Sequence, residues 1–104
     1  MLDSTIIMSF IEIDKTKKNT KILMDTQNTV FEIVVTGPKS LSVMVHGGTF
    51  FIRPTKAKIK SGIIKLGETV TFTYKSKEGW RDFISAKIIS ARISSYNNSW
   101  YYDI

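Results

Sequence analysis

From residue 69 to residue 75 the chain alternates without interruption: Val70, Phe72 and Tyr74 are separated by Thr69, Thr71, Thr73 and Lys75. A period of two, built from β-branched and aromatic residues, fits a half-buried strand and not an amphipathic helix. One side of such a strand meets a core, while the other presents hydroxyls and a lysine to water. The same pattern governs the middle of the chain. Apolar-rich runs at 29–36, 41–46 and 49–53 end in Gly37-Pro38, Gly47-Gly48 and Pro54, which are turn and strand-end signals. No window of about ten residues keeps apolar side chains at helical spacing without β-branched crowding.

The N-terminal part reads as a strand over 5–13, a polar turn over 14–20 and a return strand over 21–25, so an N-terminal hairpin is expected. Residues 55–66 are the least regular stretch. Lys56, Lys58 and Lys60 alternate there with Ala57 and Ile59, which puts three lysines on one side if the segment is extended. After the strand at 67–75 comes a polar loop, Ser76–Gly79, followed by Trp80 and a strand at 84–88. Ile84, Ala86 and Ile88 share one phase, whereas Ile89, Ala91 and Ile93 share the other. That phase change predicts a bulge or a strand passing between sheets. Short strands with Gly, Pro and Asn turns, and a long connection between the third and fourth, predict an all-β fold. The expected form is a small five-stranded OB-fold-like Greek-key barrel over 29–93, with an extra N-terminal β-hairpin over 5–25 and an aromatic tail over 94–104. All three are expected to form a single domain over 1–104.

The spacing of the C-terminal motifs resembles the cold-shock domain, a nucleic-acid-binding branch of the OB-fold. Leu66-Gly67-Glu68, Val70 and Phe72, then Glu78-Gly79-Trp80, then Ala86 through Ile89 resemble that family's last two strands. Phe50-Phe51-Ile52-Arg53 falls where its aromatic third strand lies, and Thr29 to Val35 where its first strand lies. The resemblance covers about residues 29–92. It implies a barrel that binds single-stranded nucleic acid. The family's second-strand aromatic motif is not matched: the stretch from Pro38 to Val43 keeps Lys39 and has neither ring.

Charge points the same way. The 104 residues carry a net charge of +6 and no cysteine. Residues 39–92 hold eleven cations against three acids, and from Arg53 to Lys65 there are five cations and no acid. Such clustering favours an anionic partner, nucleic acid first. Without cysteine there is neither a disulfide framework nor a thiolate metal site. Met1 to Met8 contains an acid and no early basic residue, which is a poor signal peptide. No apolar run approaches the roughly 20 residues of a membrane span. A cytoplasmic protein with no membrane partner is expected, from a cell or, on its Ile-, Lys-, Asn- and Ser-rich composition, from a virus or phage.

Catalysis is not expected. His46 is the single histidine, it stands beside Gly47-Gly48, and no acid is near it in sequence, so neither a triad nor a metal or cofactor site is indicated. Glu78 and Asp82 flank Gly79-Trp80-Arg81 and read as loop solvation. Binding is the stronger case, since a sequence-tolerant single-strand site needs a basic groove and exposed aromatic faces. The candidate residues for single-stranded DNA or RNA are Lys39, Arg53, Lys56, Lys58, Lys60, Lys75, Lys77 and Arg81. Phe50 and Trp80 are the candidate stacking platforms. The alternative is a structural or interaction module, in which Trp100, Tyr101 and Tyr102 or the N-terminal hairpin dock on a second copy or on another protein.

Overall fold

The computed structural model describes residues 6–7 and 9–96, and among these the alternation resolves into ten strands and one 3-10 turn. The strands are β1 (Ile6–Ile7), β2 (Phe10–Glu12), β3 (Thr20–Thr26), β4 (Val30–Gly37), β5 (Ser42–Gly47), β6 (Phe51–Ile59), β7 (Ile63–Lys65), β8 (Thr71–Ser76), β9 (Gly79–Ile84) and β10 (Ile88–Tyr96). Eight of them form one antiparallel sheet in the order β1-β10-β3-β4-β5-β6-β8-β9, while β2 pairs with β7. The fold is all-β, as the sequence predicts.

Strict alternation places the core. Ile22 and Met24 on β3, Ile33 and Val35 on β4, and Val43 and Val45 on β5 point inward and are buried. Val70 and Phe72 do the same, which is the inward face that the 69–75 pattern requires. Each such side chain stabilises the fold by about 1.5–3 kcal/mol on leaving water. Ile11 and Ile64 join the same core from the smaller sheet, and Ile13 from the 3-10 turn that follows β2. The Ile13 amide donates to the Gly62 carbonyl at 2.9 Å and anchors that sheet to the β6–β7 turn.

The phase change at Ile88-Ile89 is a real break in the ladder. Pairing between β10 and β3 shifts register between Ile88 and Ser90, so that Ile88 and Ala91 are buried while Ile89 is 57% exposed. The corner before it, residues 85–87, is where the chain changes partner from β8 to β3. This corner is held by backbone bonds. The Ser85 amide donates to the Val70 carbonyl (2.9 Å), the Ile88 amide to Glu68 (2.9 Å), and the Gly67 amide to Ile88 (2.8 Å).

Four expectations are corrected. The N-terminal hairpin does not form: β1 pairs with β10, β2 with β7, and β3 lies between β10 and β4. Both edges of β3 are taken by β10 and β4, and 10–13 instead bury Ile11 and Ile13 beside β7. Secondly, the main sheet has eight strands in place of five. Thirdly, Pro54 does not end its strand. Between the pairs Val45–Thr55 and Gly47–Phe51, residues 52–54 oppose His46 alone, and in such a bulge proline's missing N–H costs no ladder bond. Finally, Trp80 is not in a loop but is the second residue of β9. Gly47 holds β5 close to β4: a Cβ there would meet the Val30 carbonyl oxygen at 2.5 Å, and its φ of +150° suits glycine.

Candidate nucleic-acid interface

Residues directly opposite one another in an antiparallel pair share a face, so the register fixes the outward surface of β5, β6, β8 and β9. One row runs Ser42, Lys58, Thr73, Asp82. In the next, Met44 faces Lys56 and Lys75 faces Trp80. Lys56 and Lys58 alternate with buried Ala57 and Ile59, which turns both lysines outward. They stand roughly 7 Å apart along the strand. The side chains enclose an open cleft of ≈ 520 Å³ whose walls include Met44, Lys56, Lys58, Lys75 and Trp80.

Trp80 is 63% exposed, and no aromatic ring packs on it among the described residues. Lys56, Lys58 and Lys75 are exposed and form no ion pair among the described residues. Lys60 lies on the same face but is already engaged. Its ammonium donates to Asp82 Oδ2 at 3.1 Å, and Thr73 Oγ1 donates to Asp82 Oδ1 at 2.8 Å. The Thr73 hydroxyl, then the Lys60 ammonium, hold the Asp82 carboxyl below the usual carboxylate range. Asp82 is therefore a fixed acceptor on the Trp80 face and not a solvated loop acid. Strand spacing could have shown this, because residues 80 and 82 share a side once 79–84 is a strand.

The remaining predicted residues do not gather at the cleft. Arg81 lies opposite Tyr74, on the other face of β9 from Trp80, and pairs with Glu78. Phe50 stacks on Phe83 with centroids 4.5 Å apart and meets Phe51 edge-on at 4.8 Å and Tyr74 at 5.5 Å. It caps an aromatic cluster that continues the core, with one ring face already covered. Of the two adjacent rings, Phe51 is buried in the core, while Phe50 sits in the turn before β6 and is half-exposed. Lys39 and Lys77 are exposed in the β4–β5 and β8–β9 turns, and Arg53 is exposed in the β6 bulge. Met44 and Ser42 belong to the cleft without having been singled out in the sequence. Trp100, Tyr101 and Tyr102 lie outside the described residues.

His46 does have an acid beside it, contrary to expectation. Glu32 is its cross-strand partner, with Nδ1 3.8 Å from Glu32 Oε1, and Lys21 reaches Glu32 Oε2 at 2.8 Å. The hydrogen bond from Lys21 outweighs partial burial and lowers the Glu32 pKa from its ordinary 4.5. No group of three or more His, Cys, Asp or Glu side chains is arranged to hold a metal among the described residues. No helix among them is long and apolar enough to cross a membrane. Compared with protein-family models, curated proteins and solved structures, the chain matches none.

Proposed function

We propose that this chain is a non-enzymatic binding module for single-stranded nucleic acid, DNA or RNA, which lies across the outward face of β5, β6, β8 and β9. The observation that carries the reading is the combination at the cleft: a 63% exposed indole beside three lysines without ion-pair partners among the described residues. A base stacks on Trp80, and Lys56, Lys58 and Lys75 neutralise neighbouring phosphates. The resemblance of 29–92 to cold-shock domains supports the same ligand class, with the platform on β9 in place of the unmatched second-strand motif. Such a protein works where single strands occur, in the cytoplasm of a cell or, for a viral protein, in the infected host or virion.

Fluorescence titration of the Trp100→Phe protein with single-stranded oligomers tests this, because the signal is then that of Trp80. Three phosphate contacts predict a log–log salt slope near –2, which is about a 20-fold loss of affinity between about 50 and 200 mM salt. A titration with no salt-dependent quenching contradicts the proposal. A second reading has its own observation. β9 is an edge of the main sheet, and its Ile84 is 63% exposed, a combination that attracts another strand. On that reading the chain self-assembles or docks on a protein partner. Light scattering then gives a concentration-dependent mass that Ile84→Lys abolishes.

A further inference from the structure

Stacking on an indole accepts every base, because every base has a π-face. Selectivity in the cleft must come from a group that meets the edge of the stacked base. The strand geometry leaves few choices. Side chains two apart on β9 share a face and lie roughly 7 Å from each other, and from Trp80 the next ones along are Asp82 and then Ile84. Ile84 is apolar. A base on Trp80 whose edge points along β9 therefore meets the Asp82 carboxylate.

That carboxylate is held in place and only half used. An ionised carboxylate has about four acceptor positions and no donor. Thr73 occupies one at Oδ1 and Lys60 one at Oδ2, so each oxygen keeps a free lone pair. The group so fixed asks for two adjacent donors. Guanine supplies them, with N1–H and the 2-amino group side by side on its Watson–Crick edge. Thymine and uracil set one N–H between two carbonyls. Adenine and cytosine set their amino group beside a ring-nitrogen acceptor. Each of these three arrangements brings an acceptor against the carboxylate, and a site built to receive donors rejects a ligand that lacks them. A negative charge beside a cleft for a polyanion repels phosphate, and reading a base edge gives that charge a use.

On the nucleic-acid reading above, we infer that Asp82, beside the cleft on the face of Trp80, is the specificity-determining residue and that the base it selects on Trp80 is guanine. Trp80 fluorescence, in the Trp100→Phe background, is titrated with three thymidine octamers that carry thymine, inosine or guanine at one central position. The guanine octamer is expected to bind about tenfold more tightly than the all-thymine one. Inosine, which keeps N1–H and lacks the 2-amino group, falls between them. Asp82→Asn brings guanine and thymine octamers within about twofold of each other, chiefly by strengthening the thymine octamer, since the negative charge leaves and takes the guanine contact with it; Asp82→Ser does the same without an amide. The inosine comparison needs no protein variant and so stands even if a substitution disturbs the strand. Equal, salt-dependent binding of all three octamers overturns the guanine assignment and leaves the cleft intact. Failure of every octamer to bind at low salt overturns both.

Discussion

Two aromatic regions of this molecule are comparably open to water, yet they are built for different ends. Phe50 is 49% exposed and Trp80 is 63% exposed. Phe50 belongs to a cluster with Phe31, Phe51, Phe72, Phe83 and Tyr74 in which ring centroids lie 4.5–6.4 Å apart. Trp80 has no ring partner among the described residues and stands among lysines. Exposure alone therefore does not make a stacking platform. What separates a core's outer lid from a binding surface is whether the ring's faces are already occupied and what charge surrounds them.

This contrast can be broken in several ways. The largest effect is expected from reversing the cleft charges. The triple variant Lys56→Glu, Lys58→Glu, Lys75→Glu should lose at least about 100-fold in oligomer affinity at low salt, with a much shallower salt slope. Its melting temperature should stay close to that of the parent, because these side chains are exposed and form no ion pair among the described residues. Next comes Trp80→Ala, which should weaken binding by about 1–3 kcal/mol at constant stability, read by competition against a labelled oligomer. Phe50→Ala should do the reverse. Removing a half-exposed stacked ring should cost about 1–2 kcal/mol in a urea melt, with oligomer affinity moving less than about twofold.

The smallest effect sharpens the electrostatic side of the comparison. Lys21 is basic like the cleft lysines, but Glu32 neutralises it at 2.8 Å. The Glu32 pKa is lowered in the folded state, chiefly by the hydrogen bond from Lys21. A lowered folded value means that the stabilisation is fully present above the ordinary 4.5 and is lost as pH falls through the folded value. The pair is partly exposed to solvent, which screens it, so the contribution is expected to be well under 1 kcal/mol. Thermal melts between about pH 6 and pH 3 should show a slightly gentler acid limb for Glu32→Gln than for the parent, with Asp82 left to act in a similar window.

Much of the fold was legible because burial and strand period coincide. The alternation at 69–75 gave the buried line Val70 and Phe72, and the slip at Ile88-Ile89 marked where the ladder shifts register. Lys56 and Lys58 are readable for the same reason, because they alternate with Ala57 and Ile59, which are buried. Other features depended on distant partners. Neighbouring strands pair by default, so 5–25 reads as a hairpin, and only the competing claim of β10 on β3 shows otherwise. Pro54 stops a strand in local terms, yet the bulge opposite His46 removes the penalty. Ser76–Gly79 looks like the start of a long loop, and that hid β9, with the result that Asp82 and Trp80 were not seen to share a face with Thr73 and Lys75. Arg81 and Phe50 were grouped with the cleft by charge and by ring, properties that carry no direction.

The central claim is spatial, so it is tested most directly by mapping contacts residue by residue. In a nitrogen-15 amide shift titration with a short single-stranded oligomer at low salt, perturbations are expected to concentrate on residues 42–44, 56–58, 73–75 and 80–82, and to fade as salt is raised. Shifts centred on Phe50 and Phe83, or spread evenly over the protein, would contradict an interface built around Trp80.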